Sequence, residues 1–178
     1  MFADQTLTPK EATRLAALGT LASGPRSYGT LAIDVRHFIG RVIGPSPEIM
    51  GHSIELLRNE GLVETVSGEG DEAVLRLSES GRRALTHLIT ARVRPADTAL
   101  NKLVIALKFR FLHLLEPEEQ RAQADHLLDV CEQELARLED LRAHHIGEAG
   151  HLEAWLDHDL SLLEQRRGWL SAFRDRLA

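Results

Sequence analysis

Arg36, Arg41, Arg58 and Arg76 surround a polar segment that holds Ser46, Glu48, Gly51, His52 and Glu55. A guanidinium offers a planar fork of N–H donors that fits a phosphate, whereas hydroxyl, imidazole and carboxylate groups read base edges. If the helix carrying this segment enters a duplex groove, Ser46, Glu48, Gly51, His52 and Glu55 face bases or phosphates. Gly51 then permits close backbone approach, His52 is placed for a base edge, and the four arginines fall to phosphates. Glu48 and Glu55 suit such a surface only by accepting from cytosine amines, because phosphates repel them. The competing reading is a solvated surface of ordinary charges.

Other chemistry finds less support. There is no GxSxG, Walker loop or GxGxxG, and no Ser/His/Asp spacing singles out a triad, so no enzyme is expected. Cys131 lies between Leu128 and Leu135 on an apolar seam and reads as a small buried hydrophobe. It is the only cysteine, which fits a reducing cytoplasm. Six of nine histidines follow residue 112, but no HExxH or Cys/His pairing accompanies them, and neither metal nor cofactor is expected. Trp155 and Trp169 fall on nearly one face of the last helix. They suit a dimer interface, or a flat pocket for a small aromatic or hydrophobic effector.

The elements that would position these groups are legible along the chain. Thr8-Pro9-Lys10-Glu11 is a capping box that opens a helix to about Ala22. Ser23 to Ser27 breaks it, and a second helix runs from Tyr28 to Phe38, with Leu31, Ile33, Val35 and Phe38 partly buried. Gly40 to Pro47 reads as a linker. A third helix, capped by Ser46 with Pro47 at its first position, turns Met50, Ile54 and Leu57 to the core and ends at Asn59-Glu60-Gly61. A β-ribbon follows, Leu62–Val66 and Ala73–Leu77 around a polar turn at residues 67–72. Ser78 caps a fourth helix to about Val93. Asp97 would cap a buried helix to Leu115, and Pro117 with Glu118 and Glu119 opens a long one to His144. The last helix, about Glu148 to Leu177, repeats Ala149, Leu156, Leu163, Leu170 and Leu177 at heptad spacing. This row, with the two tryptophans, is expected to need a second copy to cover it.

The fold class expected is thus mostly α with a small β-ribbon: a winged helix-turn-helix over residues 1–94, then an α-helical dimerisation and effector domain over 95–178. Residues 1–94 hold 11 Lys+Arg and 11 Asp+Glu, net 0; residues 95–178 hold 10 and 16, net −6. The acidic excess therefore lies in the second half, and the first half needs a local basic patch to hold a polyanion. No apolar run is long enough to span a membrane.

The order of elements resembles the PadR family of bacterial transcriptional regulators. The matching residues are Leu18 to Ala32 (LGTLASGPRSYGTLA), Ser46-Pro47, Leu57 to Val63 (LRNEGLV) and Leu75 to Leu85 (LRLSESGRRAL). The third helix departs from the family in carrying Gly51-His52 where a Tyr-Pro pair is usual, and the ribbon in carrying Gly70-Asp71-Glu72. The resemblance implies a cytoplasmic homodimeric repressor that binds double-stranded DNA at a palindromic operator and answers to a small-molecule effector. Trp155, Leu156, Leu163, Trp169 and Leu170 would hold the dimer. The neutral first half and acidic ribbon tip also fit an alternative, a winged-helix protein-interaction adaptor with little DNA affinity.

Overall fold

The computed structural model describes residues 6–44, 53–96 and 98–177 and divides them into two compact units. The first unit holds residues up to Arg92 together with 97–115, and is built around α1 (Pro9–Ala22). The capping box is present: Thr8 Oγ1 accepts from the Glu11 N–H, and Glu11 Oε2 accepts from the Thr8 N–H at 2.7 Å. That backbone bond is the main reason the Glu11 carboxyl titrates below its ordinary value. Ala12, Leu15, Ala16, Ala17, Leu18 and Leu21 are all buried, so α1 is covered around most of its circumference. Around it pack α2 (Tyr28–Ile43), α3 (Ser53–Asn59), α4 (Glu79–Thr90) and α5 (Ala99–Phe111).

α2 is longer than its sequence suggests. Leu31, Val35 and Ile39 form one buried row up to Gly40, and the helix runs on through that glycine and stops only at Gly44, whose φ of 83° suits glycine. Arg41 is therefore in the last helical turn and not in a linker. Ile33, expected to be partly buried, is 64% exposed, because the row that faces the core excludes it.

The sheet has three strands where the sequence suggested a two-stranded ribbon. β2 (Val63–Ser67) and β3 (Val74–Leu77) form the expected hairpin, closed by a 3-10 turn at Gly70–Glu72. The addition is β1 (Arg26–Ser27), within the expected break, which pairs antiparallel with β3 and gives the order β1-β3-β2. After the hairpin, Ser78 Oγ donates to the Gly61 carbonyl at 2.7 Å and accepts from the Gly81 N–H at 2.9 Å. One hydroxyl thus caps α4 and ties it to the end of α3. α4 ends at Thr90, before the expected Val93, because Arg92 leaves the helix to form a parallel bridge with Thr6. Thr98 supplies the cap of α5.

α5 is the apolar helix expected to be buried, and it packs on α1 and α2. This compact division therefore differs from a break at residue 94. Phe111 lies against Gly19, where a Cβ would meet the ring at 2.5 Å. Lys108 is fully buried and its Nζ donates to the Ile89 carbonyl in the last turn of α4. Desolvation lowers its amine to about 8 from 10.5.

The second unit holds residues 93–96 and 116–178. α6 (Pro117–His144) and α7 (Leu152–Asp175) form a helical hairpin. Ala124, Leu127, Cys131, Leu135 and Leu138 of α6 are buried, as are Leu156, Leu163 and Leu170 of α7. Leu128, placed on the seam by the sequence reading, is only half-buried beside Leu127. Cys131 Sγ donates to the Leu163 carbonyl at 3.4 Å within this seam. Ion pairs of Arg142 with Asp157 and Glu153, and of Arg174 with Asp125, join the helices towards their two ends. Among the described residues no helix is long and apolar enough to cross a membrane.

Candidate nucleic-acid interface

The described part of α3 buries Ile54 and Leu57 and exposes Glu55 and Arg58, the faces its period demands. Ser46, Glu48, Gly51 and His52 lie outside the described residues. Arg36 and Arg41 are exposed on α2. Among the described residues, none of Arg36, Arg41 and Arg58 makes an ion pair. Arg76 differs: on β3 its guanidinium pairs with Glu64 of β2 at 2.8 Å, directly across the ladder. Arg14 and Arg26 are also neutralised, by Glu60 and Asp34.

Tyr28, the only tyrosine, sits at the start of α2 where α2, α3 and the hairpin turn meet. Its N–H donates to the Ala73 carbonyl at 2.9 Å. Burial raises the phenol above its ordinary value, Glu55 and Asp71 raise it further, and Arg58 opposes them. The group therefore remains a protonated donor. A cavity of about 280 Å³ opens here, with Tyr28, Ile33, Arg36, Ile54 and Asp71 in its lining. Sequence reasoning missed both Tyr28 and His37. His37 is exposed one residue after Arg36, and its place on a stripe with Ile33 and Arg41 emerges only once α2 runs to Ile43.

The groups expected to hold a dimer divide in two. Leu156, Leu163 and Leu170 are covered within one chain, so the expectation that they need a second copy is corrected. The cause is length: α6 has 28 residues and runs beside the 24 of α7, enough to cover the row. Trp155 and Trp169 point elsewhere, 53% and 50% exposed, with Leu152 and Leu162 also exposed on α7. Trp169 stacks on Phe173 at 5.4 Å between ring centroids. Fourteen residues of α-helix separate the two tryptophans by about 21 Å, too far for both to sandwich one small ligand. Among the described residues, no group of three or more His, Cys, Asp and Glu is placed to hold a metal ion.

Three helices, a short antiparallel sheet whose hairpin follows the third, and a fourth helix capped from that hairpin define a winged helix-turn-helix. The sequence profile of the AphA-like transcriptional regulator family matches residues 2–174, and the chain belongs to that family. This agrees in class with the regulator pattern read from the sequence. Among solved structures the chain is similar to Bacillus subtilis PadR, with 16% identity, a TM-score of 0.41, and 97% of this chain and 98% of that one covered. It is also similar to the same protein in complex with operator DNA, with 19% identity, a TM-score of 0.37, and 93% and 97% covered. A further similar structure is that of PadR in complex with p-coumaric acid, with 16% identity, a TM-score of 0.38, and 93% and 98% covered. The likeness is loose at these TM-scores, and the family assignment stands on the profile match. No curated protein matches the chain.

Proposed function

We propose that this transcriptional regulator is a homodimeric repressor that binds double-stranded DNA through its winged unit and dimerises through α7. The observation that carries the reading is the exposed set Arg36, Arg41 and Arg58, free of ion pairs among the described residues, on the two helices of a helix-turn-helix. Phosphate contacts of this kind set register on the duplex, while Ser46, Glu48, His52 and Glu55 face bases or phosphates and Gly51 permits close backbone approach. The DNA-binding unit extends beyond residue 94 to include α5, which packs on α1 and α2.

The dimer surface proposed is the stripe Leu152, Trp155, Leu162 and Trp169, at spacings of 3, 7 and 7. A stripe of that period, about 25 Å long, is matched by the same stripe of a second copy. Two recognition helices about 34 Å apart then meet a palindromic operator. A small effector, of aromatic or hydrophobic character, would enter the cavity lined by Tyr28, Ile33 and Ile54. There it bears on α2, α3 and the hairpin together and shifts the population away from the DNA-binding form.

Selection of bound sequences from a random duplex pool, followed by titration at several salt concentrations, tests the reading. A steep salt dependence with a selected palindrome is expected. Absence of binding at low salt would replace the repressor with the protein-interaction adaptor.

A further inference from the structure

We infer that this chain grips the DNA backbone along the outer stripe of α2 and holds its wing away from the duplex. The inference rests on the DNA-binding reading above and specifies which surface makes the contact. Arg36, His37 and Arg41 are exposed, together with Ile33, at helical spacings that place all four on one stripe. Gly40 lies among them with open space around it, so backbone can approach closely there. The one acid of α2, Asp34, is engaged by Arg26 at 3.0 Å, and although Asp71 lines the same cavity as Arg36, neither Arg36 nor Arg41 makes an ion pair among the described residues. His37 adds an imidazole between the two guanidinium groups.

The wing has the opposite character. From Val63 to Leu77 it carries Glu64, Glu69, Asp71 and Glu72 against Arg76 alone, net −3. Glu64 already occupies the Arg76 guanidinium, through Nε at 2.9 Å and Nη2 at 2.8 Å. The acidic turn does not project freely. It folds against the first turn of α2, where a Cβ on Gly29 would lie 3.4 Å from the Asp71 carbonyl, and the adjoining Ala73 carbonyl accepts from Tyr28. A helix N-terminus favours a carboxylate in that position. Phosphates repel a wing of this charge, whereas α2 attracts them, so helix rather than ribbon carries the backbone contacts.

The full chain is titrated against a random fluorescent duplex at several salt concentrations, with circular dichroism melts to confirm folding. Arg36→Ala and Arg41→Ala are each expected to lower the dimer's salt slope by about 2, one contact being lost from each chain, and Arg76→Ala to leave slope and affinity unchanged. Loss of slope in Arg76→Ala alone overturns the inference, and so do three variants that all bind as wild type. Wild type that fails to bind at low salt sinks the DNA-binding reading itself, and the inference with it. Wild type that binds steeply while the α2 variants are silent sinks only the assignment to α2.

Discussion

At the scale of single residues, two positions convert geometry into measurable stability. Gly81 sits in the first turn of α4 against the backbone of Leu62, and a Cβ there would lie 2.0 Å from the Leu62 carbonyl oxygen. Backbone cannot move aside as a flexible side chain can, so Gly81→Ala should destabilise by about 3 kcal/mol. Gly168, within α7 and in open space, provides the contrast. Gly168→Ala should stabilise by roughly 0.5–1 kcal/mol through helix propensity. Urea melts of both variants decide it; equal effects would refute the packing argument. Lys108 makes a pH prediction whose sign follows from its depressed titration. The folded amine titrates near 8 and the unfolded one near 10.5, so the unfolded chain binds more protons between those values. The cost of burying the cation is therefore fully present below pH 8 and is relieved as pH rises towards 10.5. The difference is on the order of 3 kcal/mol. Unfolding free energies measured across that window should rise in wild type relative to Lys108→Met. Parallel curves would show that Lys108 is not the titrating group.

At the scale of elements, local signals were legible and long-range partners were not. Thr8 with Glu11, Ser78 before α4 and Pro117 before α6 mark helix starts through contacts within three or four residues. β1 has no such signal, because its two residues are held by β3, far away in sequence. Gly40 reads as a breaker in the sequence, whereas the helix runs through it and ends only before Gly44. That reading also hid the stripe of Arg36, His37 and Arg41. The Arg76–Glu64 pair required the register of β2 on β3. For α7 the heptad period was read, but a period cannot say whether its complement lies in the same chain. Leu156, Leu163 and Leu170 are core, whereas Trp155 and Trp169 are surface. Leu163→Ala should therefore destabilise by about 3 kcal/mol. Trp155→Gln with Trp169→Gln should change the stability of a single chain by less than about 1 kcal/mol. Sedimentation with thermal melts at several concentrations separates the two effects. A double tryptophan variant that still sediments as a dimer would remove α7's exposed face as the interface.

At the scale of the whole molecule, charge argues that one winged unit alone is a weak DNA binder. Residues 1–92 with 97–115 hold 13 Lys+Arg and 12 Asp+Glu, net +1, and the remainder carries −7. Attraction to the duplex must therefore come from a few local cations, and the proposed set is Arg36, Arg41 and Arg58. Three phosphate contacts per chain give six for a dimer, which corresponds to a salt slope of about −5. The same arithmetic gives a single chain a slope of about −3. Linking two such units makes the second contact intramolecular, and the gain is typically 10²–10⁴-fold, roughly, over either unit alone. The Trp155→Gln, Trp169→Gln variant should thus lose about 10²-fold or more in affinity for the selected palindrome, and its slope should fall by about half. Its affinity for an isolated half-site should match that of a wild-type unit, because α2 and α3 are untouched. Titrations of both proteins on palindrome and half-site, at matched salt, supply the comparison. Equal losses on the two duplexes would mean that the substitutions damage the DNA surface, and a palindrome affinity unchanged from wild type would mean that binding does not depend on the dimer.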